Sequence, residues 1–540
     1  MKKILLKFII SGIIFINLFT SCDESFLDEK VYSKYSPQTL KDSLGFEASI
    51  IGLHNHLSQF FTKSDAQGWL CVWQIGTDIA YSAQYQGIEV PYFRYNTLNS
   101  TDGAASFTWQ WAYTMINNAN IIIESIESPD VKGMTERNKN NINAEARFFR
   151  AYAYNILATC FGGVPILKEP LKKAKTDFVR EPVDSVNALI EKDLLFAIKH
   201  LPSIDSVKKA SGKPLYARLN RAAAQQLLAE VYLRWGKPDL AEALCKSIIN
   251  SGKFKLVKER YGIRKNQPGD PFSDMFIYGN QRYSQGNTEA IWVMEAENPT
   301  DVPGGMTNYP QQRRVWGAAY YQIKGLKICD SLGGRGIARL RLNNWVLYEL
   351  YEPNDMRNSR FNIRRRYWYN DPSYSDKLGQ PVPYTGSDTI FKICPHTTKW
   401  YQFDSRDEFG FGMWKDFILM RLGETYLLLA EALYLQGKTQ EAADSINVIR
   451  ARANATPVSS SQINLDFILD ERARELLGEE NRRMTLMRTK TLVERALRLN
   501  NDPGISNPIV GLSSTHLLLP IPQNEIDLNK DAILEQNPGY

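Results

Sequence analysis

Aromatic side chains, together with the acid Asp78, are concentrated in the segment GWLCVWQIGTDIAYSAQYQGIEVPYFRYN, which spans residues 68–96. Flat aromatic rings can stack on the C–H faces of pyranose sugars, and neighbouring polar groups can bond the sugar hydroxyls. The segment offers such groups at Trp69, Trp73, Asp78, Tyr81, Tyr85, Tyr92 and Tyr95. Core or interface packing is the alternative, above all for Trp69 and Trp73, because a spacing of four places both on one helix face.

The chain begins with a short apolar segment that ends on a cysteine, in the order MKKILLKFIISGIIFINLFTSCDES. A basic start and an apolar run from Phe8 to Phe19 are typical of a secretory signal peptide, and the run is shorter than the ~20 residues of a membrane-spanning helix. The order apolar, small, small, Cys resembles the lipobox of bacterial lipoproteins. It predicts a signal peptide over residues 1–21 and a lipid on Cys22. An ordinary secretory signal with an incidental cysteine is the alternative.

The charge of the chain does not favour a nucleic-acid partner. The formal net charge of the 540 residues is +6, and it falls to +3 when Lys2, Lys3 and Lys7 are removed with the signal peptide. Charges of both signs are interspersed along the rest of the chain. We interpret the tight basic run Arg364-Arg365-Arg366 as a solvated or salt-bridged face, and we expect no nucleic-acid binding.

Metal, disulfide and catalytic motifs are missing from the sequence. The cysteines after Cys22 stand far apart without a C-x-x-C pair and are expected to be small buried apolar side chains: Cys71, Cys160, Cys245, Cys329 and Cys394. His54 and His56 form a lone H-x-H, which favours a helix face or loop over a metal site. Glu479 and Glu480 are neighbours on a helix and point apart, so they cannot flank a glycosidic bond. We expect no catalytic residue, no metal and no cofactor.

Two helical hairpins, repeated at an offset of 201 residues, would supply a scaffold for the aromatic segment. They read LLAEVYLRWGKPDLAEALCKSII and LLAEALYLQGKTQEAADSINVIR, and Gly236 matches Gly437. Apolar residues recur at helical spacing in each hairpin, and the glycine permits a turn between the helices. The pattern resembles the tetratricopeptide repeat. NAEARFFRAYAYNILATCFGGVPIL and FTWQWAYTMINNANIIIESIES predict two further helices.

The predicted fold class is mostly α, with a tetratricopeptide-like helical hairpin scaffold, long irregular aromatic-rich loop insertions and a few short strands. The insertions cover residues 65–108 and 253–415, and the second contains one predicted strand, EAIWVMEA. Loops of this length in a compact protein are functional or disordered. Their aromatic content argues against disorder.

Four well-separated stretches together resemble one family. In chain order they are AEARFFRAYAYNILATCFGGVPI, RLGETYLLLAEALYLQGKTQEAADSINVIRARA, ILDERARELLGEENRR and LLLPIPQNEIDLNKDAILEQNPGY. On these motifs the chain is identified as a member of the SusD/RagB family, the nutrient-binding outer-membrane lipoproteins of Bacteroidetes. The acids Asp23 and Glu24 resemble the surface-export tags of such lipoproteins. The chain departs from the family pattern between Glu480 and Leu486, where the family often has Gly-His-Arg and then an aromatic-Asp-Leu. This departure bears on the subgroup of the family to which the chain is assigned and not on the predicted fold.

The resemblance implies a protein held to the outer face of the outer membrane by its N-terminal lipid. Such a protein captures a glycan or a peptide and delivers it to a SusC-like TonB-dependent transporter, without catalysis. The resemblance also divides the chain into an N-terminal SusD-like region (22–230), a connecting helical hairpin and loops (231–290) and a C-terminal RagB/SusD region (291–540). The hairpins at 217–250 and 418–452, with the helix near 144–160, would form the scaffold and face the transporter.

The predicted ligand face consists of the loops over 65–108 and 280–400. Asp78 matches the Thr-Asp that the family commonly has ahead of its first ligand loop. Trp316 and Tyr320 fall where the family places further stacking aromatics. Together with the aromatic segment, these matches give the predicted ligand-binding residues Trp73, Asp78, Tyr81, Tyr85, Tyr95, Trp316 and Tyr320.

Three other functions stay open. A peptide-capturing member of the same family would have the same architecture, and its ligand would distinguish it. A tetratricopeptide-type assembly scaffold lipoprotein would share the lipid and the helices, although it has no need of long aromatic insertions. A secreted glycoside hydrolase would release reducing ends from a polysaccharide, and its two acids need no local motif.

Overall fold

The computed structural model describes residues 40–540 apart from 63–65, 208–217, 304, 306–309, 405, 407–408 and 410–411. The predicted signal peptide and the lipid site at Cys22 therefore lie outside the described residues. The α-helices are α1 Ser43–Thr62, α2 Ala66–Val72, α3 Gly103–Ile126, α4 Glu136–Phe161, α5 Val183–His200, α6 Arg221–Arg234, α7 Pro238–Asn250, α8 Pro271–Asp274, α9 Gln312–Trp316, α10 Leu422–Leu435, α11 Thr439–Arg452, α12 Leu465–Leu476, α13 Arg482–Arg488, α14 Leu492–Leu499 and α15 Gln523–Leu528.

The pairs α6–α7 and α10–α11 are the two hairpins that the repeat predicts. Each pair turns at its shared glycine, since Gly236 has φ +72° and Gly437 has φ +76°, a left-handed conformation that is unfavourable for residues with a Cβ. In both turns the next residue donates its N–H to the carbonyl five positions earlier, at 2.9 Å, which satisfies an orphan carbonyl at the helix end. The tetratricopeptide-like fold class is confirmed.

The two hairpins, far apart in the chain, pack against each other along α7 and α10. Glu242 on α7 accepts hydrogen bonds from Lys438 at 2.7 Å and from Gln436 at 2.8 Å. Deeper in the interface, Gln226 donates to Glu424 at 2.9 Å and accepts from Thr425 at 2.6 Å. The repeat thus forms one continuous helical layer instead of two separate modules.

The long helices α3, α4 and α5 continue this layer, because α3 packs on α4, α4 on α5 and α5 on α6. Side-chain caps begin two of them: Asp102 accepts from the N–H of Ala105 at α3, and Thr135 accepts from the N–H of Asn138 at α4. Helix α4 ends at Gly162, which has φ +75°. Both helices predicted from sequence outside the hairpins are confirmed.

The described strands form three two-stranded antiparallel sheets, in which β1 pairs with β3, β2 with β6 and β4 with β5. Their bounds are β1 Ala80–Ser82, β2 Ala290–Met294, β3 Leu340–Leu342, β4 Ile363–Arg364, β5 His396–Thr397 and β6 Phe417–Arg421. Strand β2 confirms the strand predicted from EAIWVMEA. The β1–β3 pair joins the two predicted insertions, because it places Tyr81 opposite Arg341.

One main hydrophobic core extends from Leu40 to Leu534, and a smaller core lies inside the second insertion around Tyr320, Tyr367 and Cys394. The five cysteines of the described chain are free, and all except the half-buried Cys329 are buried, as the sequence predicts. None of the described helices is both long and apolar enough to cross a membrane.

Buried ion pairs connect the second insertion to the helical layer. Arg357 binds Asp355 at 2.8 Å and also reaches Glu471 at 2.8 Å and Glu475 at 3.0 Å on α12. Glu475 also pairs with Arg421, at 2.6 Å. Separating the partners of such a buried network leaves uncompensated charges. The network therefore disfavours other positions of the insertion on α12.

Candidate ligand-binding site

Asp78, a predicted ligand residue, lies fully buried between two arginines. Its carboxylate accepts from Arg482 at 2.6 and 2.8 Å and from Arg495 at 2.7 Å. Burial raises the pKa of Asp78, but the two guanidinium groups outweigh burial and hold that pKa below its usual value. Both carboxylate oxygens are therefore engaged inside the protein, where they fasten the segment before β1 to α13 and α14.

Tyr95 and Tyr320 are buried, and their hydroxyl groups bond inside the protein. The Tyr95 hydroxyl donates to the carbonyl of Gly76 at 2.8 Å and accepts from Arg483 at 2.6 Å. The Tyr320 hydroxyl bonds the backbone of Cys329 at 3.1 and 3.2 Å, within the smaller core. Their contact with a ligand stays a prediction.

Trp73 and Trp316 line the same partly open cavity, which has a volume of about 180 Å³. Both rings are 3% exposed, and Trp73 packs edge-on against Trp69. Other aromatic rings on the cavity wall belong to Phe60, Phe61, Tyr152, Trp400 and Phe417. The structure brings these two predicted residues together, but every residue on the cavity wall is buried or half-buried.

Tyr85 is the exposed member of the predicted set, with 60% of its surface accessible. It lies three residues after β1, in a loop held to the second insertion by Gln84, whose amide donates to the carbonyl of Ile337 at 2.6 Å. One edge of its ring packs on Phe93 at 5.8 Å, and the Arg94 guanidinium lies 5.8 Å from the ring centroid. Most of the Tyr85 ring is free to meet a ligand.

Tyr81 belongs to a cluster of three tyrosines around one arginine, which we call the tyrosine cluster: Tyr81, Tyr348, Tyr384 and Arg341. The guanidinium of Arg341 lies 5.5 Å from the ring centroid of Tyr81, and it donates to the backbone carbonyls of Leu342 at 2.8 Å and Thr389 at 3.2 Å. The hydroxyl groups of Tyr348 and Tyr384 are 3.4 Å apart. Burial raises the pKa of Tyr81 to about 12 although Arg341 opposes this, so the hydroxyl stays protonated at neutral pH.

The tyrosine cluster combines buried anchoring with an exposed face. Tyr81 and Arg341 are buried by the β1–β3 pair, whereas Tyr348 is 57% exposed and Tyr384 is half-buried. Arg366 stacks on Tyr384 with its guanidinium 4.2 Å from the ring centroid. Flat rings beside phenol and guanidinium donors can recognise a sugar through both its C–H face and its hydroxyl groups.

Sequence analysis did not single out Tyr348, Tyr384 or Arg341. All three lie in the loops over 280–400 that it assigned as a whole to the ligand face, but nothing local distinguishes them from the other tyrosines and arginines there. Only the pairing of β1 with β3 brings Arg341 to Tyr81. The signal lay in the tertiary structure and not in the spacing of residues.

The basic run 364–366 differs in part from its predicted role. Arg366 is exposed, as predicted, but Arg364 and Arg365 are half-buried. Arg364 donates to the hydroxyl of Tyr401 at 2.9 Å, and Arg365 donates to the carbonyl of Leu347 at 2.9 Å. These bonds to neutral groups position the loops of the second insertion.

The acids and histidines that could do other chemistry are occupied by structural contacts. Glu479 binds Lys399 and Arg421, whereas Glu480 binds Arg472 and Arg482 on the other side. His56 lies on α1, as predicted, and stacks on a tryptophan ring. Within the described ranges no group of three or more His, Cys, Asp or Glu side chains could hold a metal ion.

Comparison with known proteins gives two matching family models. Residues 340–540 match the model described as SusD family, and residues 25–233 match the model described as starch-binding associating with outer membrane. SusD-like protein P25 of Formosa agariphila is 24% identical over 558 aligned positions, which cover 98% of this chain and 99% of that protein.

Solved structures show the same fold. The SusD homolog from Bacteroides thetaiotaomicron superposes with a TM-score of 0.73 at 20% identity, over 93% of this chain and 97% of the other. Surface glycan-binding protein A from Bacteroides thetaiotaomicron, solved in complex with laminarihexaose, superposes with a TM-score of 0.69 at 18% identity, over 92% of this chain and 99% of the other.

Proposed function

This chain belongs to the SusD/RagB family, and from that membership we propose that it captures an oligo- or polysaccharide and delivers it to a SusC-like TonB-dependent transporter. The family is described as associating with the outer membrane. The observation that carries the glycan assignment is the tyrosine cluster, in which the rings of Tyr348 and Tyr384 reach the surface of an insertion fixed on the helical layer.

Capture would work by stacking and hydrogen bonding. The exposed ring of Tyr348 would cover one sugar, while the hydroxyl of Tyr384 and the exposed guanidinium of Arg366 would bond its hydroxyl groups. Buried Tyr81 and Arg341 hold the cluster on the β1–β3 pair before any ligand arrives, which lowers the ordering cost of binding. Tyr85, on the loop that follows β1, would add a second stacking surface.

Delivery would use the repeat hairpins and the lipid. Apolar side chains are exposed on both hairpins, at Leu240 on α7, Leu435 on α10 and Val448 on α11, and we assign this side to the transporter. Lipid on Cys22 would hold the protein on the exterior face of the outer membrane.

Catalysis has no place in this function. A glycoside hydrolase needs two accessible carboxyl groups about 5–10 Å apart across the bond. The adjacent acids Glu479 and Glu480 are each neutralised by a basic partner in opposite directions. We therefore assign the chain a binding role.

Isothermal titration of the purified full-length chain in detergent, against neutral and acidic glycans and a peptide digest, tests the proposal. We expect one glycan to bind without release of reducing ends, and Tyr348→Ala with Tyr384→Ala to weaken it about tenfold or more. The control for the loss of a tyrosine ring is Tyr434→Ala, which changes a half-buried tyrosine on α10. The variant Trp316→Ala tests whether the cavity shared by Trp73 and Trp316 contributes to binding. Binding of peptides alone, or release of reducing ends, would contradict the glycan-capture assignment.

A further inference from the structure

A second cleft, with a volume of about 260 Å³, opens between three segments of the second insertion. The segments are 260–277, which includes α8, 360–364 and 398–403, with Ser331 at one edge. The cleft shares no residue with the tyrosine cluster or with the cavity of Trp73 and Trp316. It is therefore a separate site on the same insertion.

Basic side chains dominate the cleft wall. It carries Arg260, Arg264, Arg360, Arg364 and Lys399 against the single acid Asp274. Lys399 turns its ammonium away, onto Glu479 and the carbonyl of Glu475. The arginines are what gives this surface its positive charge.

Asp274 does not neutralise the other arginines, because Arg260 already occupies it. Arg260 donates to its two oxygens at 2.6 and 3.1 Å, and the N–H of Tyr261 adds a third bond at 3.0 Å. The other N–H groups of Arg260 bond backbone carbonyls of Gln267 and Arg264. Arg260 and Asp274 are therefore engaged with the protein itself and form one wall of the cleft.

Three arginines keep unused donors and have no acidic partner among the described residues. Arg264 bonds Gln267 through Nε alone, and Arg360 is exposed and makes only a contact with the ring of Phe361. Arg364 uses Nε on the hydroxyl of Tyr401 and one Nη2 hydrogen on the carbonyl of Ser331. Arg264, Arg360 and Arg364 thus bring guanidinium N–H groups without a hydrogen-bond partner to the wall of one cleft.

Aromatic rings fix the orientation of these guanidinium groups. Arg264 lies 4.3 Å from the ring centroid of Phe403, Arg360 lies 4.9 Å from that of Phe361, and Arg364 lies 5.6 Å from that of Tyr401. Phe403 has φ +56°, a left-handed conformation that is unfavourable for a residue with a Cβ. Such strain is concentrated at binding sites, where it holds side chains ready for a ligand.

We propose that this cleft binds the sulfate or carboxylate group of an acidic saccharide. Planar guanidinium groups match the oxygens of these anions and bond them bidentately, and the rings beside them can pack on the sugar that carries the anion. The inference deepens the proposed function and rests on it: the tyrosine cluster would bind the neutral face of the glycan, and the arginine cleft would select for its charge.

The test compares three oligosaccharides by isothermal titration with the full-length chain in detergent. They are a sulfated oligosaccharide, its desulfated counterpart and an oligogalacturonate. The variant is Arg264→Gln with Arg360→Gln, two side chains with little or no structural bonding. The control is Lys132→Gln with Arg137→Gln, two exposed side chains outside the cleft, which changes the net charge equally. Inorganic sulfate is added as a competitor.

We expect the cleft variant to lose about tenfold or more in affinity for the sulfated or the carboxylated ligand, with no change for the control. The ligand whose affinity falls shows whether the cleft selects sulfate or carboxylate. Displacement of that ligand by inorganic sulfate would confirm that the cleft binds an anion. Two results would overturn this inference: equal affinity for the sulfated ligand and its desulfated counterpart, or unchanged affinity of the cleft variant for the charged ligands. If binding of the desulfated ligand still depends on Tyr348 and Tyr384, the proposed function stands. Failure of all three ligands to bind, while a neutral glycan of the wider panel binds through Tyr348 and Tyr384, would likewise overturn this inference and leave the proposed function standing.

Discussion

At the scale of single residues, the carboxylate of Asp78 holds two buried guanidinium groups, those of Arg482 and Arg495. We expect Asp78→Asn to lower the free energy of unfolding by about 1–3 kcal/mol, because it removes charge-assisted hydrogen bonds while Glu480 still pairs with Arg482 and Asp470 still pairs with Arg495. Urea unfolding followed by circular dichroism measures the change. Asp130→Asn, at an exposed position, is the control and should have almost no effect. A stable Asp78→Asn protein that has lost ligand affinity would favour a ligand role instead.

Tyr85 should behave in the opposite way to Asp78. Because its ring is 60% exposed, we expect Tyr85→Ala to change the free energy of unfolding by no more than about 0.5–1 kcal/mol. The same change should weaken glycan binding, which titration calorimetry measures in parallel. A large loss of stability with intact binding would assign Tyr85 to the packing of Phe93 and Arg94.

Residue types identified candidates, but burial decided between their roles. The aromatic segment mixes Trp69 and Trp73, which lie in the core, with Tyr85, which lies on the surface. An aromatic residue type does not itself tell whether its ring lies in the core or on the surface, so only the folded structure distinguishes these three residues. The partners of Asp78 are about 400 residues away in the chain, and no local pattern could reveal that its charge is neutralised internally.

At the scale of elements, one substitution should have opposite effects in two places. Gly437 has φ +76° and open space around it, so Gly437→Ala should cost about 1–2 kcal/mol through the backbone alone. Gly52 lies inside α1 with equally open surroundings, so Gly52→Ala should stabilise the protein by about 0.5–1 kcal/mol. Thermal unfolding of both variants tests the pair. Equal shifts in Tm would show that turn geometry does not control hairpin stability.

Local periodicity revealed the helices well, because helix faces and turn glycines are encoded within a few residues of each other. The repeat even gave the correct hairpins at the correct offset. Packing of α7 on α10 and pairing of β1 with β3 were not readable, since they depend on contacts between segments roughly 200 to 260 residues apart. Two- and three-residue strands such as β4 carry too few alternating positions to be recognised.

At the scale of the whole molecule, α12 is the point where the parts of the chain meet. Its Glu471 pairs with Arg357 from the second insertion at 2.8 Å and with Arg450 from the repeat hairpin at 2.9 Å. Its Glu475 pairs with Arg421 at the end of β6. The motif ILDERARELLGEENRR, which is one of the four that carried the family resemblance, therefore encodes an ionic junction that holds the second insertion on the helical scaffold.

This junction predicts how stability depends on pH. Burial raises the pKa of Glu471, but Arg357, Arg474 and Arg450 outweigh it and lower the pKa to about 2. Because the folded pKa lies below the unfolded value of about 4.3, the unfolded chain binds the proton first as the pH falls. The stabilisation by Glu471 is complete above about pH 4.5 and is lost progressively towards pH 2. Urea unfolding between pH 7 and pH 2 measures this effect. The free energy of unfolding should fall less for Glu471→Gln than for the wild type, because the glutamine takes up no proton. Parallel curves would mean that other carboxylates, and not the α12 junction, determine the acid response.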